Sequence, residues 1–352
     1  MANLPQVLSI RKQAEVITKI LHSRLDTILP LALREAGIDM WLIICQEDNH
    51  DPIFNTMIPM DTWAPILQML IFFDRGAEGG VERINLSMTD TKDLYDRPWK
   101  GQQHPEQWGL LSEIIRERSP KRIGINIGDV NWAAGGLTYN LYHQLCAALP
   151  DEYVRRLTSA EVACNRWGMT LTKAELALYP HIASIAHRII ADCYSPTNIT
   201  PGVTTTKDLE WVFWQRCADN SLGQAFKPFF RIIRSDLELE KHPLDDLVIR
   251  RGDLLHCDVG IKYLGLNTDH QELAYVCHND EMDAPRGLKN LLAKNNRLQK
   301  IFLDEFKHGL SGNQMLKNML ATAREGGIPS PRIYSHSLGL FLHEPGPLIG
   351  LP

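Results

Sequence analysis

Apolar residues recur at helical spacing over residues 8–36, and Gly37 stands where such a helix should stop. Short apolar runs at Met40–Cys45 and Met69–Phe73 read as strands. Val81–Met88 alternates, and Lys121–Ile127 reads as a further strand. Helical stretches near 109–117 and 137–148 lie between or after them. Strands interleaved with helices indicate an α/β unit, which ends near Arg155–Leu157.

From Thr170 the pattern changes. Lys173–Tyr194 has helical spacing. A Pro-Gly turn at 201–202 then leads to an N-terminal capping signal, Thr205 with Asp208 three residues on. A strand-rich block covers roughly 226–277, and two helices follow at about 285–309 and 312–325. Residues 331–352 are rich in Gly, Pro and His and read as strand and loop. The expectation is two domains, 1–160 and 161–352, and the chain of 352 residues is long enough to give each a core.

Charge and cysteine content narrow the classes. The net charge is −5, from 37 basic and 42 acidic residues, with no Lys/Arg run or stripe that would suit nucleic acid. Seven scattered cysteines without a Cys-x-x-Cys pair fit reduced thiols better than a disulfide framework. No basic-then-apolar leader opens the chain, and the longest apolar run falls far short of a membrane span. The expected location is cytoplasmic, with neither membrane nor nucleic acid as partner.

The candidate chemistry lies in "RRGDLLHCDVGIKYLGLNTDHQELAYV". Strand-like segments flank Lys262–Gly265, the natural place for a turn. A turn centred near 263–264 sets Asp258 roughly opposite Asp269, with Cβ atoms ~5 Å apart on one face. Two carboxylates there repel, and burial makes the pair costly unless something positive lies between them. Two readings stay open from the spacing alone: the aspartates are solvated on an outer face, or they hold a divalent cation, for which carboxylate oxygens are hard ligands. Histidines add to the second reading. His336 and His343 lie seven residues apart in "YSHSLGLFLHEPGP", and His242 precedes the first aspartate strand. Neutral imidazole binds metals beside carboxylates and can also move protons.

The order of a His, then Gly-Asp-Leu-x-x-x-Asp-x-Gly, a second Asp eleven residues after the first, and later His336, Gly-Leu and His343 resembles the pita-bread metallopeptidases, specifically the Xaa-Pro aminopeptidases and dipeptidases (prolidase-like proteins). "TKAELALYPHIASIAHRII" and "PGVTTTKDLEW" are similar to the family's entry helices. The resemblance covers about 170–352, and the segment before it resembles, more weakly, a creatinase-like N-terminal domain. It implies an α/β first domain followed by an α+β pita-bread catalytic domain. It also implies that Asp258 binds one metal ion, that Asp269 bridges two, and that His336 is an imidazole ligand. His343 would contact the substrate carbonyl or pass protons, and His242 would line the substrate pocket. The implied reaction hydrolyses the peptide bond before proline with a hydroxide shared by two divalent ions. Manganese is the first expectation for the metal, with cobalt, zinc and iron also compatible. A homodimer acting on peptides with proline at the second position is implied as well.

Three departures qualify the resemblance. The family site has two further glutamate ligands downstream, and the chain reaches Pro352 before either; Glu344, adjacent to His343, is not promoted to ligand. Arg332 stands where many relatives have a histidine, and the His242 loop is one residue shorter. Two divalent ions carry four positive charges against two from Asp258 and Asp269. The expectation is therefore an incomplete catalytic domain with weak metal binding, little or no peptidase activity, and sheet edges left uncovered. The competing reading is a non-catalytic homologue that uses the pocket or first domain for binding. A metal-independent creatinase-type amidinohydrolase is disfavoured by the aspartate pair. A single-domain methionine aminopeptidase is disfavoured by the domain-sized segment in front.

Overall fold

A computed structural model of the chain describes residues 5–101, 104–129, 132–343, 346 and 348–350. Its N-terminal part is built from α1 (Ile10–Ala36), β1 (Met40–Gln46), β2 (Leu67–Asp74), α2 (Gly76–Gly79), β3 (Val81–Asn85), α3 (His104–Arg118), β4 (Ile123–Ile125), α4 (Tyr139–Ala148), α5 (Asp151–Val154), β5 (Leu157–Ser159) and α6 (Glu161–Met169). The five strands form one sheet in the order β3-β2-β1-β4-β5. β1 pairs antiparallel with β2 and parallel with β4.

The continuous apolar run of β1 follows from burial on both faces. Trp41, Ile43 and Cys45 face a core shared with α1 and α6. Met40, Leu42 and Ile44 face a second core with α3 and α4. α1 stops where the sequence reading stops it, with Gly37 in the left-handed region at φ 61°. Among the tryptophans of this half, Trp41 and Trp99 are core residues, whereas Trp63 and Trp132 are exposed.

The C-terminal part opens with α7 (Lys173–Cys193) and α8 (Thr206–Asp219). Each starts on a capping box, Thr172 with Glu175 and Thr205 with Asp208. Then come β6 (Gly223–Gln224), β7 (Phe229–Ile233), α9 (Asp236–Lys241), β8 (Leu254–Val259), β9 (Ile261–Tyr263), β10 (Leu266–Asn267), β11 (His270–Tyr275), α10 (Arg286–Asp304), α11 (Gly312–Glu325), β12 (Tyr334–Ser335) and β13 (Ile349–Gly350). The strands make two three-stranded sheets, β11-β8-β7 and β10-β9-β6, with β12 and β13 as a separate antiparallel pair.

Alternation along β8 decides which face meets the core. Leu255, Cys257 and Val259 pack on Ile182, Ile185 and Ile189 of α7 and on Leu209 and Phe213 of α8. Asp258 and His256 take the opposite face. That face also carries the partly exposed Phe229, Ile233 and Leu273. All seven cysteines are unpaired. No helix among the described residues is long and apolar enough to cross a membrane.

Candidate metal centre

The hairpin that carries both aspartates closes on Leu264 and Gly265, whose φ angles of 54° and 82° are both positive. Two left-handed residues in a two-residue loop match the twist of the flanking strands. Tyr263 pairs with Leu266, and the same register continues to Val259 opposite His270 and Asp258 opposite Gln271. This corrects one expectation: Asp258 does not stand opposite Asp269. The turn is centred one residue further along than the sequence reading puts it, so the partner of Asp258 moves by two positions. A two-residue shift preserves the face, and Asp269 becomes the diagonal neighbour of Asp258. Gly260 is required between them, because a Cβ there would lie 2.1 Å from the Thr268 carbonyl oxygen.

The two carboxyl groups still feel each other. Burial, and then the charge of Asp269, push the Asp258 carboxyl above its ordinary range. Gln271 Nε2 donates to Asp258 Oδ2 at 3.4 Å. His256, two residues earlier on the same face, is held below the usual imidazole range by burial and by Arg231. His270 belongs to the reverse face, its ring 4.6 Å from that of His187.

The segment after β12 brings two imidazoles to this pair. Ligand atoms of Asp269, His336 and His343 lie within 4.8 Å of one another. His336 Nε2 is 3.4 Å from Asp269 Oδ2, and the two imidazole rings are 4.8 Å apart. His336 Nδ1 lies 2.9 Å from the Ser337 carbonyl oxygen. A carbonyl only accepts, so Nδ1 carries the hydrogen. In the singly protonated ring the Nε2 lone pair then points at a carboxylate oxygen, and only a proton or a cation between them makes that contact favourable. Asp258 lies beside Asp269 but outside this group, so the donor set within reach of one ion is one carboxylate and two imidazoles, which suits a divalent cation.

His242 behaves differently. It caps the end of α9, with Nδ1 3.3 Å from Asp246 Oδ2 and its carbonyl accepting from Arg234. Among the described residues it belongs to no metal-sized group. Glu344 lies outside the described residues. Two residues around the centre escape sequence reading. Gln271 touches Asp258, and the buried Asn267 bonds to the loop between the two histidines. The available signal for Asn267 is a polar residue at a core-facing strand position.

An N-terminal α/β part is thus followed by a part whose antiparallel hairpin carries a carboxylate–imidazole cluster, a candidate metal site. Residues 180–351 match the model of metallopeptidase family M24. That stretch has the pita-bread fold, and an N-terminal α/β part precedes it, as in the solved structures it resembles. Solved structures share this fold over nearly the whole chain. X-Pro aminopeptidase from Thermotoga maritima is 17% identical, with 91% of this chain and 85% of that one aligned at a TM-score of 0.62. Xaa-Pro dipeptidase from Bacillus anthracis is 19% identical, covering 95% and 84% at 0.57. The N-terminal domain of the FACT complex subunit SPT16 from chickpea is 12% identical, covering 95% and 84% at 0.54. No curated protein sequence matches the chain.

Proposed function

We propose that the chain is a divalent-metal-dependent peptidase acting on peptides with proline at the second position. Asp258, Asp269 and His336 would hold the metal, and His343 would serve the substrate. The observation that carries the reading is the convergence of Asp269, His336 and His343 beside Asp258. The substrate class follows that of the X-Pro aminopeptidase and Xaa-Pro dipeptidase that share the fold.

A bound cation would supply Lewis acidity for peptide-bond hydrolysis. The side chains divide the remaining work. Asp258 and Asp269 supply two negative charges, which balance one divalent ion and leave a second one underneutralised, so at most one ion per chain, weakly held, and slow hydrolysis are expected. His336 directs Nε2 at the centre while its Nδ1 stays on the Ser337 carbonyl. His343 is the more exposed imidazole and is free to hold the substrate carbonyl or carry a proton. His242, with Nδ1 3.3 Å from Asp246, would line the substrate pocket.

Titration of the metal-free chain with Mn²⁺, Co²⁺ and Zn²⁺ by calorimetry tests the site, alongside release of the N-terminal residue from Xaa-Pro peptides. One weakly held ion per chain, lost in Asp269→Asn and His336→Ala together with any residual hydrolysis, is the expected result. Cation binding by Asp269→Asn equal to wild type overturns it. A second reading, a binding module without hydrolysis, draws on the chickpea FACT domain, since a shared fold does not fix activity. Tight cation binding without release from any Xaa-Pro peptide would favour that reading.

A further inference from the structure

We infer that Asn267 is a positioning residue that sets the distance of both imidazoles from Asp269. The inference rests on the metal-site reading and adds to it a residue that touches neither metal nor substrate. Asn267 ends β10, two residues before Asp269, and is 5% exposed. Its backbone N–H donates to the Gly339 carbonyl at 2.8 Å. Its side-chain Nδ2 donates to the same carbonyl at 3.1 Å and to the Leu340 carbonyl at 2.9 Å.

Both side-chain partners are carbonyl oxygens, so the amide nitrogen must face them and each of its hydrogens has an acceptor. Gly339 and Leu340 are the middle of the segment that begins with His336 and ends with His343, three residues from each. The clamp therefore grips the loop midway between the two imidazoles and fastens it to the strand that presents the carboxylate. Three residues of free chain reach ~10 Å, far more than the 4.8 Å within which the ligand atoms gather. Without the side-chain clamp, the loop would lose two of the bonds that fasten it to β10.

Apolar contacts hold the same loop. Leu340 lies against the cores of both halves, and the Phe341 ring meets Trp132 edge-on at 5.2 Å. Phe341 fastens the loop to the N-terminal half, and the Asn267 amide fastens it to the hairpin. Aspartate has the same shape but no N–H for either carbonyl, and alanine lacks the group altogether. Among amides, only glutamine keeps the donors, one methylene further out.

The experiment compares wild type with Asn267→Ala, Asn267→Gln and Asp269→Asn in the full chain, using Mn²⁺ as the probe. Groups that orient metal ligands from behind typically change metal affinity 10- to 100-fold when removed, and a loss in that range is expected for Asn267→Ala, with Asn267→Gln in between. Hydrogen exchange of the amides at 336–343 in the metal-free chain should quicken in Asn267→Ala. A purely structural residue remote from the loop would not focus the change there. Should Asn267→Ala fail to fold, slow exchange of the Asn267 side-chain amide protons in metal-free wild type supports the clamp, and fast exchange overturns it. Unchanged loop exchange or unchanged Mn²⁺ affinity in a folded Asn267→Ala also overturns it. If Asp269→Asn binds Mn²⁺ like wild type, the metal reading falls, and loop exchange alone decides the clamp.

Discussion

Asp258 shows at the scale of one residue how a binding site costs stability. Its carboxyl is pushed up first by burial and then by the neighbouring Asp269 charge. A raised acid favours the folded state while it is protonated, and that contribution fades as pH rises through its folded value. At neutral pH the ionised group is therefore a liability in the metal-free chain. Asp258→Asn keeps the shape and the acceptor for Gln271 and removes the charge. The melting temperature in chelator should rise by roughly 1–3 °C. The stabilisation by Mn²⁺, about 2.7 kcal/mol at a hundredfold excess over Kd in wild type, should shrink. A lower melting temperature in chelator, or an undiminished Mn²⁺ effect, would count against placing the cation at Asp258.

At the scale of elements, signals written in neighbouring residues were legible in the sequence. Gly37 ends α1, and the Thr172–Glu175 and Thr205–Asp208 boxes open α7 and α8, because caps and stops are settled within a single turn of chain. The paired-aspartate hairpin was legible too, but its register was not. Strand pattern fixes the face on which Asp258 and Asp269 lie. The turn fixes which residues oppose each other, and Leu264 at positive φ gives no hint of itself in the sequence. The short α9 was absorbed into a strand-rich block for want of periodicity. The Asn267 clamp depends on a carbonyl 72 residues away, beyond any local pattern. Gly265 carries the register, since alanine at φ 82° is strained by about 1–2 kcal/mol. Gly265→Ala should lower denaturation stability by about that amount and weaken Mn²⁺ binding with it. Unchanged stability would mean that the register is held by the strands and not by the turn.

At the scale of the whole molecule, one buried ion pair joins the two halves. Arg24 projects from α1 of the N-terminal half, and Glu175 opens α7, which underlies the sheet bearing Asp258; their side chains are 2% and 1% exposed. The guanidinium donates to both Glu175 carboxylate oxygens at 3.0 Å and to the Thr170 carbonyl at 2.8 Å, and stacks 4.5 Å from the Trp167 ring of α6. Glu175 at the same time accepts the Thr172 N–H of its own capping box at 2.6 Å. Three helices from both halves thus share one charge pair. Breaking one partner strands the other charge where water cannot reach, a cost of ~3–5 kcal/mol, whereas replacing both with apolar side chains of similar volume is often neutral or stabilising. Glu175→Gln should therefore cost ~3–5 kcal/mol, while the double replacement Arg24→Met with Glu175→Leu should recover much of that loss. Calorimetric unfolding of the three chains distinguishes two roles for the pair. If it also couples the halves, wild type melts in one transition and Glu175→Gln in two, the C-terminal one lower. If Glu175→Gln stays within 0.5 kcal/mol of wild type and melts as one unit, the apolar cores around Leu340 hold the halves together without it.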